Sequence, residues 1–170
     1  MRRLVARAFH LYARFARGLT GGVRVLVTDG ERVLLVRHSY VHGLHLPGGG
    51  VEVGETFEQA ALKELREEAA LTPTAPLELF GLYLNEGVTR RDHVAVFVCR
   101  DFAWDGFEPT AEIVEAGFHP LADLPADVTE PTLRRIAEVR EGRRPDPYWW
   151  PRSETADGAP PDAAQKSRSA

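Results

Sequence analysis

The segment that most limits how this chain can fold is Leu46-Pro47-Gly48-Gly49-Gly50-Val51-Glu52-Val53-Gly54-Glu55-Thr56, which runs directly into Phe57-Glu58-Gln59-Ala60-Ala61-Leu62-Lys63-Glu64-Leu65-Arg66-Glu67-Glu68-Ala69-Ala70-Leu71. Consecutive glycines permit positive φ and close backbone approach, so the first half reads as a loop. Thr56 with Gln59 three residues on is a capping-box signature that starts a helix at Thr56, and Thr72-Pro73 predicts its stop after Leu71. At about 100° per residue, Leu62, Leu65, Ala69, Ala61 and Glu58 share one sector of that helix, and Glu64, Glu67 and Glu68 share the next. Such spacings set like charges about 5–6 Å apart between Cβ atoms, which is unfavourable unless a cation sits among them. Carboxylate oxygens with no histidine or thiolate close by in sequence suit Mg²⁺ or Mn²⁺ better than Zn²⁺. Taken alone, the three glutamates describe a solvated helix face equally well.

Around this segment strands and helices alternate, which predicts an α/β class. Gly22–Thr28, the turn dipeptide Asp29-Gly30 and Arg32–Arg37 read as a hairpin. Leu44–Leu46, Glu78–Asn85 and Val94–Arg100 are further strand candidates, and 131–141 is a second helix. A length of 170 residues suits a single domain with tails, here residues 20–150. Residues 1–19 carry Leu4, Phe9, Leu11, Tyr12 and Phe15 between arginines with no acidic residue, the pattern of a basic amphipathic helix. Packing on its own domain, docking in a homodimer, lying on a membrane surface and flexible disorder are all open to it. Residues 151–170 are rich in Pro, Ser, Ala and Asp and read as a disordered tail.

The net charge of −4 gives no basic field for a polynucleotide, so none is expected as a partner. No window approaches the ~18 apolar residues of a transmembrane helix. The single cysteine, Cys99, lies in the apolar run 93–99, which predicts buried strand packing, argues against covalent catalysis and fits a reducing cytoplasm.

The intervals decide how the acidic helix is read. Gly49, five residues, Glu55, seven residues, Lys63-Glu64-Leu65, one residue, Glu67-Glu68, one residue and Ala70-Leu71 resemble the Nudix box, whose pattern is Gly, Glu, Arg-Glu-aliphatic, Glu-Glu and Gly-aliphatic at the same spacing. Leu46-Pro47-Gly48-Gly49 and Thr72-Pro73 are similar to the usual flanks, and the wider likeness runs from Gly22 to about Gly142, including 118–125. The resemblance implies a single-domain α/β/α sandwich around a mixed sheet. It also implies a Mg²⁺-dependent hydrolase, with Mn²⁺ possible, that cuts a phosphoanhydride in a nucleoside diphosphate linked to another group. Glu64, Glu67 and Glu68 become metal ligands with the Gly49 backbone, and Glu55 holds loop to helix. Glu112 is the extra loop carboxylate that binds metal or serves as general base, with Glu115 as its rival.

Two positions depart from the box. Lys63 replaces an arginine and cannot form the bidentate fork. Ala70 replaces a glycine, and in a left-handed conformation its Cβ costs roughly 1–2 kcal/mol. Both motivate an alternative, a catalytically weak nucleotide-binding module on the same fold. Arg37 and His45, with His38 and His42, stand where they could touch substrate; Arg90, Arg91 and His93 read as a solvated turn. Trp104, Trp149 and Trp150 could stack a base, although packing of chain ends is the default for such residues.

Overall fold

Alternation along the strand Thr20–Val27 (β1) sends Val23, Val25 and Val27 into one core cluster and Leu26 into another. The same split recurs along Asp92–Cys99 (β5), where Ala95, Phe97 and Cys99 join the first cluster and Val98 the second. Each cluster is covered by a helix. Phe57–Ala69 (α1) contributes Ala60, Ala61, Leu65 and Ala69 to the first, and Glu130–Arg140 (α2) contributes Ile136 to the second. Strands between two helices make the expected three layers, in a computed structural model that describes residues 18–151. The expected helix of residues 1–19 and the tail of 151–170 lie outside the described residues but for their innermost positions.

β1 pairs in parallel with β5, and Glu78–Leu84 (β4) pairs antiparallel on the far side of β5, so this sheet is mixed. Arg32–His38 (β2) pairs antiparallel with Ile113–Pro120 (β7), and Leu71–Pro73 (β3) with Phe102–Trp104 (β6). The expected hairpin is therefore corrected. Asp29 does make a turn, accepting bonds from the Glu31 and Arg32 amides at 3.0 and 2.7 Å, but β1 and β2 then diverge, joined by a lone Thr28–Val33 bridge. Residues 44–46 form bridges and no strand: His45 exchanges both backbone bonds with Val36 at 2.9 Å, and Leu44 pairs with Val128.

The capping box at Thr56 is present, with the Gln59 amide donating to Thr56 Oγ1 at 3.1 Å and the Thr56 amide to Gln59 Oε1 at 2.9 Å. The helix ends at Ala69 and not at Leu71, because Ala70 takes the left-handed conformation (φ 52°, ψ 35°) and turns Leu71 into β3. Trp104 Nε1 donates to Ala69 O at 2.8 Å, satisfying a carbonyl that the helix end leaves open. The buried face is rotated from the expected one: Leu62 and Glu58 are exposed, while Glu68 is buried with Ala60, Ala61, Leu65 and Ala69.

On α2, Arg135 is fully buried and its Nη2 donates to Glu138 Oε1 at 2.8 Å, while the Tyr83 hydroxyl donates to Glu138 Oε2 at 2.9 Å. The guanidinium lies over the Tyr83 and Trp149 rings, 4.1 and 5.2 Å from their centroids. Residues 147–149 meet β4 at its Leu84 end, with Leu84 N donating to Pro147 O at 2.8 Å and Trp149 N to Leu84 O at 3.0 Å.

Candidate functional site

The glycine loop is laced to the edge of β1 away from β5. Val25 N donates to Pro47 O, Val23 N to Gly49 O and Val51 N to Gly21 O, each at 2.9 Å. A Cβ on Gly48 (φ 147°) would run into the Val23 carbonyl, and one on Gly49 would lie 2.5 Å from Glu64 Oε1. Glycine is thus required at 48, where the neighbour is strand backbone, while at 49 its absence of a Cβ leaves room for the Glu64 carboxylate. Gly49 O accepts from Val23, and its second lone pair remains available.

The loop and helix are joined through Glu68. Its Oε2 accepts the Gly48 amide at 2.7 Å, and its Oε1 lies 3.4 Å from His38 Nε2. Burial pushes the Glu68 carboxyl up to about 7, opposed by the Gly48 bond and the Arg24 charge. Burial raises Glu64 as well, with Glu67 adding to the effect and Lys63 opposing it. Glu67 itself is exposed beside them. Burial likewise lowers His38, assisted by the positive charge of Arg24, so its imidazole is held neutral over more of the pH range. Arg24 donates to Gly48 O and, at 3.5 Å, to Leu46 O.

A β-bulge between Arg37 and His38 opens the β2–β7 ladder at this point and pairs His38 with Ile113. Glu112, the residue before, is thereby brought alongside. Ser39 N donates to Glu112 O at 2.8 Å and the Tyr40 hydroxyl to Glu112 Oε1 at 2.9 Å. Ligand atoms of His38, Glu68 and Glu112 all lie within 4.8 Å of one another. A divalent cation fits this donor set, because it would offset the desolvation that raises Glu68 and its repulsion by Glu112.

Lys63 Nζ reaches Glu52 Oε1 at 3.1 Å, Glu55 Oε2 at 3.6 Å and Glu64 Oε1 at 4.0 Å. Glu55 Oε2 also accepts the Glu52 amide at 3.0 Å. Lysine therefore joins loop to helix as a central point charge, where an arginine would use a planar fork.

The family model of the NUDIX domain matches residues 18–139. The chain belongs to the NUDIX domain family. It is similar to an ADP-ribose pyrophosphatase of Methanocaldococcus jannaschii, 28% identical over 123 residues that cover 70% of each chain. It is similar also to an 8-oxo-dGTP diphosphatase of Escherichia coli, 28% identical over 126 residues, 69% of this chain and 95% of that one. A MutT NUDIX hydrolase of Burkholderia pseudomallei shares the fold at a TM-score of 0.59 and 23% identity, across 71% of this chain and 96% of the other. The chain is accordingly a MutT-like Nudix hydrolase. No helix among its described residues is long and apolar enough to cross a membrane.

Within this Nudix domain the remaining sequence candidates separate. Arg37 is engaged, its Nε 2.8 Å from Glu115 Oε2 and its Nη1 2.6 Å from Asp127 Oδ2, so Glu115 faces that cation while Glu112 faces Glu68. His45 Nε2 sits 3.0 Å from His42 O, with its ring edge-on to His38. Arg37, His38, Tyr40, Val41, His42 and Val114 line much of a hollow of about 480 Å³ that opens next to Glu112. Trp104, in β6, packs edge-on to Phe118 and Trp149 edge-on to Tyr83, so both are structural; Trp150 lies against Gly87. Cys99 is buried, with its thiol pushed up to about 11 by burial. Sequence reasoning missed Arg24 and Tyr40. The break that Arg24 makes in the apolar run Val23 to Val27 was the available signal; Tyr40 carried none.

Proposed function

We propose that this Nudix hydrolase cleaves a phosphoanhydride in a nucleoside diphosphate linked to a second group, by direct attack of water, with Mg²⁺ or Mn²⁺ held by Glu64, Glu67, Glu68 and the Gly49 backbone. The observation that carries the reading is the buried Glu68 carboxylate, fixed by the Gly48 amide and within 4.8 Å of a Glu112 carboxylate oxygen. A bound divalent cation supplies charge for the pyrophosphate oxygens and a water of lowered pKa. Glu112, oriented by Tyr40, is the further carboxylate that joins the metal shell or takes the water's proton. The hollow beside it is of a size for part of a nucleotide and is lined by Arg37, while His45 stands behind it, its ring nitrogen 3.0 Å from the carbonyl of the lining residue His42.

The relative named as an ADP-ribose pyrophosphatase supports ADP-ribose as the first substrate to test. A reducing cytoplasm suits the lone buried thiol, and residues 1–19 are the segment through which a homodimer would form. The reading is tested with nucleoside triphosphates, dinucleoside polyphosphates, ADP-ribose and nucleotide sugars in Mg²⁺, with product masses locating the cut bond. Glu68→Gln and Glu67→Gln should each lower turnover at least about a hundredfold while the fold is kept. Near-normal turnover in both variants overturns the ligand assignment.

A further inference from the structure

His38 brings an imidazole nitrogen to a site whose other donors are oxygens. The residue is only 8% exposed, and its Nδ1 makes no hydrogen bond among the described residues. The polar contact of the ring is therefore made through Nε2, which stands 3.4 Å from Glu68 Oε1. Aromatic neighbours hold that orientation: His45 meets the ring edge-on at 5.9 Å and Tyr40 lies tilted at 5.3 Å. Tyr40 also fixes the third group through its 2.9 Å bond to Glu112 Oε1, the kind of outer contact that orients ligating carboxylates.

We propose that His38 Nε2, Glu68 and Glu112 form a mixed nitrogen–oxygen site that binds a first-row transition-metal dication in preference to Mg²⁺. Bonds of roughly 2.1 Å place donors on one ion about 3–4 Å apart, so the 3.4 Å pair is already in range, and a ligand set within 4.8 Å closes with small side-chain shifts. Imidazole raises affinity for Co²⁺, Ni²⁺ and Zn²⁺ far more than for Mg²⁺, which keeps to oxygen. The inference rests on Glu68 being a metal ligand, as proposed above, and adds the nitrogen donor to it.

The full chain is titrated with Mg²⁺, Mn²⁺ and Co²⁺ by calorimetry, and the Mn²⁺ form is read by pulsed electron paramagnetic resonance for coupling to ¹⁴N. Bound Mn²⁺ is expected to show a directly coupled nitrogen. His38→Gln should remove that coupling and weaken Co²⁺ binding at least about tenfold, with Mg²⁺ binding changed less than about threefold. His45→Gln should keep the coupling. If His38→Gln does not fold, His38→Asn takes its place, and the wild-type spectrum already decides: Mn²⁺ bound without nitrogen coupling overturns the proposal while leaving the carboxylate site standing. Coupling that persists without His38 also overturns it. Failure of every dication to bind removes both the proposal and the ligand assignment on which it rests.

Discussion

Glu68 on the helix and Gly48 in the loop, twenty positions apart in sequence, are joined by a 2.7 Å bond from the Gly48 amide to Glu68 Oε2. One oxygen of the carboxylate is thereby used to position the loop, while the other lies 3.4 Å from His38 Nε2, in a group that also includes Glu112. A single buried side chain thus fixes the loop geometry and presents charge to the site, and its ionisation reports on both.

Glu68 gives the metal-free protein a pH-dependent stability of defined sign. Its carboxyl, ordinarily at 4.5, sits at about 7 when folded, so the folded state binds the proton more tightly. Stability from this group is present below pH 4.5 and is lost as pH rises through about 7, with a span on the order of 3 kcal/mol at most. His38, lowered by burial, acts with the opposite sign near its ordinary 6.5 but is common to wild type and variant. In a chelator, the melting temperature of Glu68→Gln should therefore climb relative to wild type between about pH 4.5 and 7 and level off above. A difference that ignores pH would show that Glu68 titrates normally.

Lys63 is the centre of an ion cluster with Glu52, Glu55 and Glu64. Lys63→Met should lower kcat about tenfold by letting the loop drift from the helix, since a misplacement of 1 Å can cost a hundredfold. Lys63→Arg should leave turnover unchanged or raise it, because the fork can serve two of the same carboxylates. Steady-state kinetics on both variants check this, and a large loss in the arginine variant would mean that the cluster is shaped around lysine.

Ala70 closes the helix with φ at 52°, a conformation that a glycine adopts without its Cβ conflict. Ala70→Gly should stabilise the protein by about 1 kcal/mol and raise Tm by roughly 2–4 °C, with hydrolysis unaffected. Thermal melts decide it; no gain would place the compensation in the Trp104 bond to Ala69.

Glu138 answers a fully buried Arg135 and accepts the Tyr83 hydroxyl as well. Glu138→Ala should cost about 3–5 kcal/mol, since it strands a buried guanidinium. Denaturant titration measures the loss, and a cost under about 1 kcal/mol would show that water reaches Arg135.

What the sequence revealed is what local chemistry determines. Thr56 and Gln59 cap each other across three residues, and Glu64 and Glu68 follow from helical periodicity, so loop, helix and carboxylates were all visible. The pairing of β1 with β5 was not: Thr20 meets Asp92 in a parallel register that no turn chemistry encodes, and Asp29-Gly30 suggested the wrong partner. β7 contains Gly117, His119 and Pro120 and lacks a strand-like pattern, so its pairing with β2 went unseen. His38 became a partner of Glu68 only through that ladder and its bulge, which no helical or strand periodicity could place.

The loop of residues 47–51 has a second consequence through its three bonds to β1. A strand with unpaired amides and carbonyls is a template for association with another chain. Here the glycine loop occupies that side of β1, while on β4 residues 147–149 cover only the Leu84 end, so the β1 margin is the one that the loop seals. A lesion that frees the glycine loop would unmask a sticky border as well as dismantle the site. Its first visible sign in a cell would be insoluble protein.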